Sequence, residues 1–344
     1  MDENKLLKLT ESQEERAQAI YDSAIVIDAL NYSPTLPSLG HPEYLEEYSK
    51  AGVTATHFTI HLPYEGLRNL LNQVSLWYQL AEGTQCSIVE SAKDIRTAKE
   101  KRGKCIIFGI QNGKPLEENV SFVRIFHKLG IRIIQLAYNE QNLLGAGGDE
   151  MDAGVTKLGH KMIEEMNRVG ILIDASHCGP QTTMDIIRHS EKPIAFTHAN
   201  PRALCEHYRN KTDEQLKALA ERGGVVGLTA MSLISKTHKD KRPALKDFLD
   251  FVDYTVNLVG VKHVGFGLDF APIFLWDQEA APTFARKYPG LSGNDDEISI
   301  EGLETPSHII DIARGLVSRG YDDVEIRGIL GENFLHLFEE TWKQ

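Results

Sequence analysis

Ile171-Leu172-Ile173-Asp174-Ala175-Ser176-His177 is followed by a helix-patterned stretch, Gln181–Ser190, and then by Pro193-Ile194-Ala195-Phe196-Thr197-His198-Ala199-Asn200. The two outer runs are apolar, too short for helices and closed by polar tails, so they read as buried strands flanking a helix. Buried strands joined by a helical crossover run parallel, because only a crossover returns the chain to start the next strand in the same direction. Outward from this unit the same alternation recurs along the 344 residues. The remaining candidate strands are Ala24–Asp28, Val53–Ile60, Lys104–Ile110, Ile131–Ala137, Gly224–Leu228 and His263–Leu268. Helical spacing covers Glu117–Leu129, Leu158–Val169, Asp213–Arg222 and Leu245–Val259 between them. Eight such units predict an α/β fold, a closed (β/α)8 TIM barrel, spanning residues 1–344 as one domain with an N-terminal helical extension. No Gly-x-Gly-x-x-Gly follows the first strand and no Gly-x-x-x-x-Gly-Lys occurs, so an open nucleotide-binding sheet is not indicated. The acidic, Gly/Pro-rich stretch 270–300 is too long for an ordinary connection and reads as an active-site lid after the last strand.

Composition narrows the partners. Apolar residues at 42% and charged residues at 25% are ordinary for a folded protein in water. Lys plus Arg number 37 against 49 Asp plus Glu, a net charge of −12, the wrong sign for gripping phosphate backbones, so nucleic acid is not an expected partner. The chain opens Met1-Asp2-Glu3-Asn4-Lys5 and has no apolar run of the ~20 residues that crosses a bilayer, so a cytoplasmic protein without a membrane partner is expected. Cys86, Cys105, Cys178 and Cys205 form no Cys-x-x-Cys and are expected to be reduced thiols.

Barrel enzymes carry their chemistry at the C-terminal ends of the strands. Those ends are polar here: Asp28-Ala29-Leu30-Asn31-Tyr32, His57 to His61, Gln111-Asn112-Gly113, Tyr138-Asn139-Glu140-Gln141-Asn142, His177, His198 and Asp269. Histidines ending two consecutive strands, with an aspartate ending the eighth, suit a Zn²⁺-like ion held by neutral imidazoles beside a carboxylate that takes a proton from water. His57 and His61 lie four apart and face the same side of an extended segment, either as substitute ligands or substrate contacts or as core and loop histidines.

The segments Ile173–His177, Ala195–Asn200, Gly265-Phe266-Gly267-Leu268-Asp269-Phe270 and Ile329-Leu330-Gly331-Glu332-Asn333-Phe334 resemble the membrane (renal) dipeptidase family, metallopeptidases of the amidohydrolase-type barrel. In that family two zinc ions, bridged by a glutamate and a water, act on the peptide bond of a dipeptide. The resemblance implies that His177 and His198 are ligands of the second metal, that Asp269 is the catalytic or ligating aspartate, and that Arg209 in Tyr208-Arg209-Asn210-Lys211-Thr212-Asp213 holds the substrate carboxylate. It also implies a homodimer as a common assembly. Three departures alter the expected site. The family's Asp-Gly-His-x-Asp is Asp28-Ala29-Leu30-Asn31-Tyr32, the bridging glutamate is Gln111, and the oxyanion-stabilising histidine is Tyr138, whose phenol can still donate. One zinc ion rather than two is therefore expected, on Gln111, His177 and His198, with Asp269 as base or as a further ligand. Asn31, Tyr32, His57 and Asn142 are the expected substrate contacts beside Arg209, and Asp28 and Asp174 the residues that orient ligands. The expected function is hydrolysis of a peptide or amide bond in a small, carboxylated, dipeptide-like substrate. The alternative is a catalytically silent barrel that binds a small carboxylated ligand.

Overall fold

The computed structural model describes residues 7–33, 36–39, 42–149, 151–237, 241–270 and 298–343. Runs of β-branched and small apolar residues form β1 (Ile27–Asn31), β2 (Ala55–Thr59), β3 (Cys86–Ile88), β4 (Lys104–Ile110), β5 (Ile131–Gln135), β6 (Leu172–Asp174), β7 (Ala195–Phe196), β8 (Val225–Leu228) and β9 (Val264–Phe266). Among the described residues these strands pair in parallel in the order β1-β2-β4-β5-β6-β7-β8-β9, with β3 paired to β4 alone. The two ends of the series meet: Asp269 N donates to Leu30 O at 2.9 Å and Tyr32 N to Phe270 O at 3.0 Å. Closure leaves the barrel path without an edge, and the expected eight-stranded barrel is the observed one.

Two local expectations are corrected. The first strand is Ile27–Asn31 rather than Ala24–Asp28, because Ala24 caps the helix Glu11–Ser23 through its N–H to Ile20 O, and pairing begins at Ile27 opposite Ala55. Asp28 is thus mid-strand, not a strand end. β3 was not expected at all, since three residues outside the barrel path carry no readable period. Most of the expected lid, 271–297, lies outside the described residues. The returning chain is held near the barrel mouth, where Ser299 bridges Met231 and Glu301 bridges Ala244.

Side chains alternate in and out along each strand, which separates two layers. Ile27, Ala29, Ala55, Ile107, Ile133, Leu172, Ala195 and Val225 form one apolar cluster with Phe334, Leu335 and Phe338 of the terminal helix Asn333–Thr341. That helix stops the bottom of the barrel, each buried Leu or Phe contributing about 1.5–3 kcal/mol. Gly331 lets it approach, because a Cβ there would meet Ile25 O at 2.4 Å. The apolar floor leaves polar chemistry to the opposite end. Among the described residues no helix is long and apolar enough to cross a membrane, and all four cysteines are free.

Candidate metal centre

β6 and β7 meet at Asp174 opposite Ala195, so the residues after them rise side by side. The buried Asp174 carboxylate ties the two ends together: Oδ1 accepts from Ser176 N at 2.9 Å, Ser176 Oγ at 2.6 Å and Thr197 N at 3.1 Å, and Oδ2 from Thr197 Oγ1 at 2.7 Å. These bonds replace the water it loses on burial. They also decide a tautomer. A carboxylate only accepts, so the Thr197 hydroxyl proton is committed to Asp174, and the 2.8 Å contact between Thr197 Oγ1 and His198 Nδ1 has the imidazole donating. His177 Nδ1 likewise donates to Asn139 Oδ1 at 2.6 Å, with Asn139 in the left-handed region (φ 53°) that asparagine tolerates.

With both Nδ1 atoms protonated, both Nε2 atoms present lone pairs, and these face each other at 2.9 Å. Facing lone pairs repel unless a proton or a cation lies between them. Burial above all, and then the Arg209 guanidinium, holds both imidazoles well below the usual histidine range, which disfavours the proton. A cation suits this donor pair, and backing each metal-facing histidine with a hydrogen bond is how proteins orient such ligands. Among the described residues, no group of three or more His, Cys, Asp or Glu side chains has the arrangement of a metal cluster.

Other expected site residues surround the pair. Tyr138 stacks on His177 with ring centroids 4.0 Å apart. Arg209 is buried rather than on the surface; its guanidinium donates to Ser176 O and lies in the field of Tyr138 and Asp269. Asp269, at φ 58°, is anchored through its backbone to Leu30, and no hydrogen bond reaches its carboxylate among the described residues. Burial raises that carboxyl to about 7 against the pull of Arg209, with Asp174 adding to the rise.

The β1–β2 side is built differently. Leu30 is fully buried and, being apolar, offers no atom to a cation. Asn31 donates to Tyr44 Oη at 2.9 Å and Tyr48 Oη at 2.6 Å and accepts from the Ser33 hydroxyl, which uses its polar atoms. The expectation that Asn31 touches substrate is therefore corrected: a register shift between Asp28 and Asn31 gives its amide to the tyrosines of the helix Glu43–Lys50. Asp28 accepts from Leu268 N at 2.9 Å and Tyr48 Oη at 3.0 Å, and burial pushes its carboxyl up to about 7. Tyr32 sits buried at the closing seam. His57 donates from Nδ1 to Ala29 O at 2.6 Å, leaving Nε2 without a partner, over Gly109, where a Cβ would lie 1.9 Å from that nitrogen. Gln111 is buried with its Nε2 unpartnered.

Asn142 also has another task. Its amide donates to Asn112 Oδ1 and Leu136 O, both at 2.7 Å, and accepts from Leu144 N and Gly145 N, so it braces the loop after β5 instead of offering polar atoms to substrate. It nevertheless lines, with Tyr138, a cavity of about 550 Å³ over the ends of β2, β4 and β5. Residues that sequence reasoning missed are those behind the site: Asn139, Ser176 and Thr197, and Lys211, which is buried and donates to Ala175 O at 2.8 Å and Cys178 O at 2.9 Å. Alternation offered a signal for Lys211, two residues beyond Arg209 and bridged to Pro201 in extended backbone.

A closed parallel barrel with a backed histidine pair on adjacent strand ends and a buried aspartate after the last strand defines a metallohydrolase barrel. The chain belongs to the membrane dipeptidase family: residues 14–287 match the family model described as Membrane dipeptidase (Peptidase family M19). It is 25% identical over 291 residues to Dipeptidase tcpJ of Claviceps purpurea, covering 83% of this chain and 62% of that protein. An amidohydrolase from Pseudomonas aeruginosa superposes with a TM-score of 0.86 at 31% identity, covering 95% of this chain and 99% of that one. A metallo peptidase from Rhodobacter sphaeroides, liganded with a phosphinate mimic of the dipeptide L-Ala-D-Ala, shares the fold with a TM-score of 0.77 at 21% identity, covering 93% of this chain and all (100%) of that one. The family is metal-dependent, and the protein is a hydrolase of the dipeptidase type.

Proposed function

We propose that this hydrolase cleaves the amide bond of a small, carboxylated, dipeptide-like substrate and works with one zinc-class ion. The facing Nε2 lone pairs of His177 and His198 carry this reading. These two side chains would hold the ion, with the side-chain amide oxygen of Gln111 as a further donor at the mouth. A divalent ion held there supplies Lewis-acid polarisation of a carbonyl and brings the pKa of water near 7. The chain's own groups do the rest. Asp269 takes the proton of the attacking water and passes it to the departing nitrogen as the C–N bond breaks, leaving a carboxylate and an amine. Tyr138 donates its phenol to the carbonyl oxygen as negative charge builds there. Arg209 offers a planar fork to the substrate carboxylate.

One ion rather than two follows from the β1–β2 side. Leu30 cannot ligate, Asn31 is spent on Tyr44 and Tyr48, and Gln111 is neutral where two cations would need a shared charge. The silent-barrel alternative is not favoured, since the histidine pair keeps a complete backing. Elemental analysis of protein purified with added zinc is expected to find one tightly bound ion per chain, absent from His177→Ala and His198→Ala. Two ions per chain would overturn the one-ion reading, and unchanged metal content in both variants would overturn the site.

A further inference from the structure

His177 and His198 stand on different strand ends, and Lys211 joins both ends to the segment that carries Arg209. Its main chain is fixed beside the end of β7: the N–H donates to Asn200 O at 2.9 Å and the carbonyl accepts from Arg202 N at 2.8 Å, in a bridge to Pro201. Asn200 lies two residues past His198. Its side chain is fixed to the turn after β6. There Nζ donates to Ala175 O at 2.8 Å and Cys178 O at 2.9 Å, the carbonyls on either side of Ser176 and His177, and to Thr183 Oγ1 at 3.3 Å in the helix Pro180–His189. Arg209, two residues earlier, donates to Ser176 O between them. One short segment thus grips three of the four carbonyls of Ala175-Ser176-His177-Cys178, and the fourth, His177 O, accepts from Gly148 N at 3.0 Å.

Satisfying those carbonyls does not require a lysine. Ala175 O also accepts from Cys178 N at 3.2 Å, and Cys178 O from Thr183 Oγ1 at 3.1 Å, so each keeps a donor without Nζ. Burying the side chain is costly all the same: Lys211 is only 2% exposed, with Nζ 5.0 Å from the centre of the Phe196 ring. An apolar side chain of similar length would fill the space without taking a polar head out of water. What it could not do is tie the turn to the Arg209 segment at two carbonyls at once. Three acceptors match the three N–H directions of a lysine head, which holds the tie in one geometry. The position therefore uses lysine for placement.

Placement here fixes a distance. With the substrate carboxylate on Arg209 and the scissile carbonyl at His177 and His198, the span between Arg209 and the histidine pair sets how many bonds separate the two groups. We propose that Lys211 is a positioning residue that holds this span at the length of an α-amino acid, and so selects against substrates whose carboxylate lies one methylene further from the amide. The inference rests on the proposed dipeptidase-type reaction. Misplacing a bound substrate by about 1 Å can cost ~10²-fold in rate, and an added methylene moves the carboxylate on that scale.

The test compares alanyl-alanine with alanyl-β-alanine on the zinc-loaded protein by kcat/KM. The wild type is expected to favour alanyl-alanine by ~10²-fold. Lys211→Met keeps most of the side chain's length without Nζ, and Lys211→Gln keeps a shorter polar group. Each is expected to narrow the ratio several-fold, chiefly by lowering kcat/KM on alanyl-alanine, with thermal melts identifying which variant is folded. Both substrates are measured on one preparation, so a smaller folded or metal-loaded fraction cancels from the ratio, and a lysine with a merely structural role would leave it unmoved. An unchanged ratio in a folded variant, or wild-type values that do not favour alanyl-alanine, would overturn the positioning role and leave the dipeptidase reading standing. Failure of both variants to fold would make Lys211 a residue of folding alone and overturn the inference as well. Hydrolysis of neither compound by the wild type would overturn the proposed function and this inference with it.

Discussion

The two sides of the barrel mouth use the same kinds of residue toward opposite ends. On the β6–β7 side, Asn139 and Thr197, the latter held by Asp174, bind the backs of the histidines, and the free lone pairs point at each other. On the β1–β2 side, Asp28, Asn31, Tyr44 and Tyr48 bind one another, and fully buried Leu30 offers no atom to a cation. His57 has a backed Nδ1 just as His198 does, but no second lone pair meets it. A histidine's fitness to hold a cation is therefore set by what holds its far side and by a partner donor opposite, not by residue type alone.

This contrast can be broken experimentally, most forcefully at Asp269. If the ion rests on the histidines and Asp269 moves the proton, Asp269→Asn is expected to keep the ion and lose ~10²–10⁴-fold in turnover. Loss of the ion in the same variant would make the aspartate a ligand and shift weight away from the histidine pair. For Arg209→Lys, a fall in kcat/KM of roughly 10- to 100-fold is expected, since charge-assisted hydrogen bonds contribute about 1.5–3 kcal/mol and lysine lacks the planar fork. Unchanged kcat/KM on an accepted carboxylated substrate would remove Arg209 from recognition.

Asn139→Ala probes the backing itself. Without Oδ1 behind it, His177 is free to turn or change tautomer, and zinc affinity measured by competition with a chelator is expected to drop about 10-fold, the lower end for such supporting groups. Wild-type affinity in this variant would sink the argument that the far side makes the ligand.

The smallest effect on turnover belongs to Asp28→Asn, whose consequence is for stability. Burial raises the folded carboxyl to about 7 from 3.8, so ionisation opposes the fold. Its contribution is fully present below pH 3.8 and lost as pH rises through about 7. Urea unfolding at a series of pH values is expected to show the wild type losing stability from pH 4 to pH 7 relative to the variant. A constant difference across that range would count against a protonated Asp28 in the fold.

Much of the architecture was legible because it rests on short-range pattern. Apolar runs separated by helical spacing announced the barrel, position at a strand end singled out His177, His198 and Asp269, and the family resemblance added Arg209. The misreadings arose where pairing, not pattern, decides. Nothing local in Asp28-Ala29-Leu30-Asn31-Tyr32 announces the register shift that turns Asn31 toward Tyr44 and Tyr48, and Asn142 looks like any polar loop residue until its bonds to Asn112, Leu136, Leu144 and Gly145 are drawn.

The sequence by itself determined the order of strands and helices, the residues available at the barrel mouth, and the loss of charged ligands on its β1 side, because side-chain chemistry and periodicity are local properties. The tertiary structure alone decided which nitrogen of each histidine faces the site and which polar groups are spent on one another. Those outcomes depend on hydrogen bonds between residues far apart in the chain, such as Asn139 with His177 and Asp28 with Leu268. Pairing of β5 with β6 brings the first two within reach, and closing the barrel the second two.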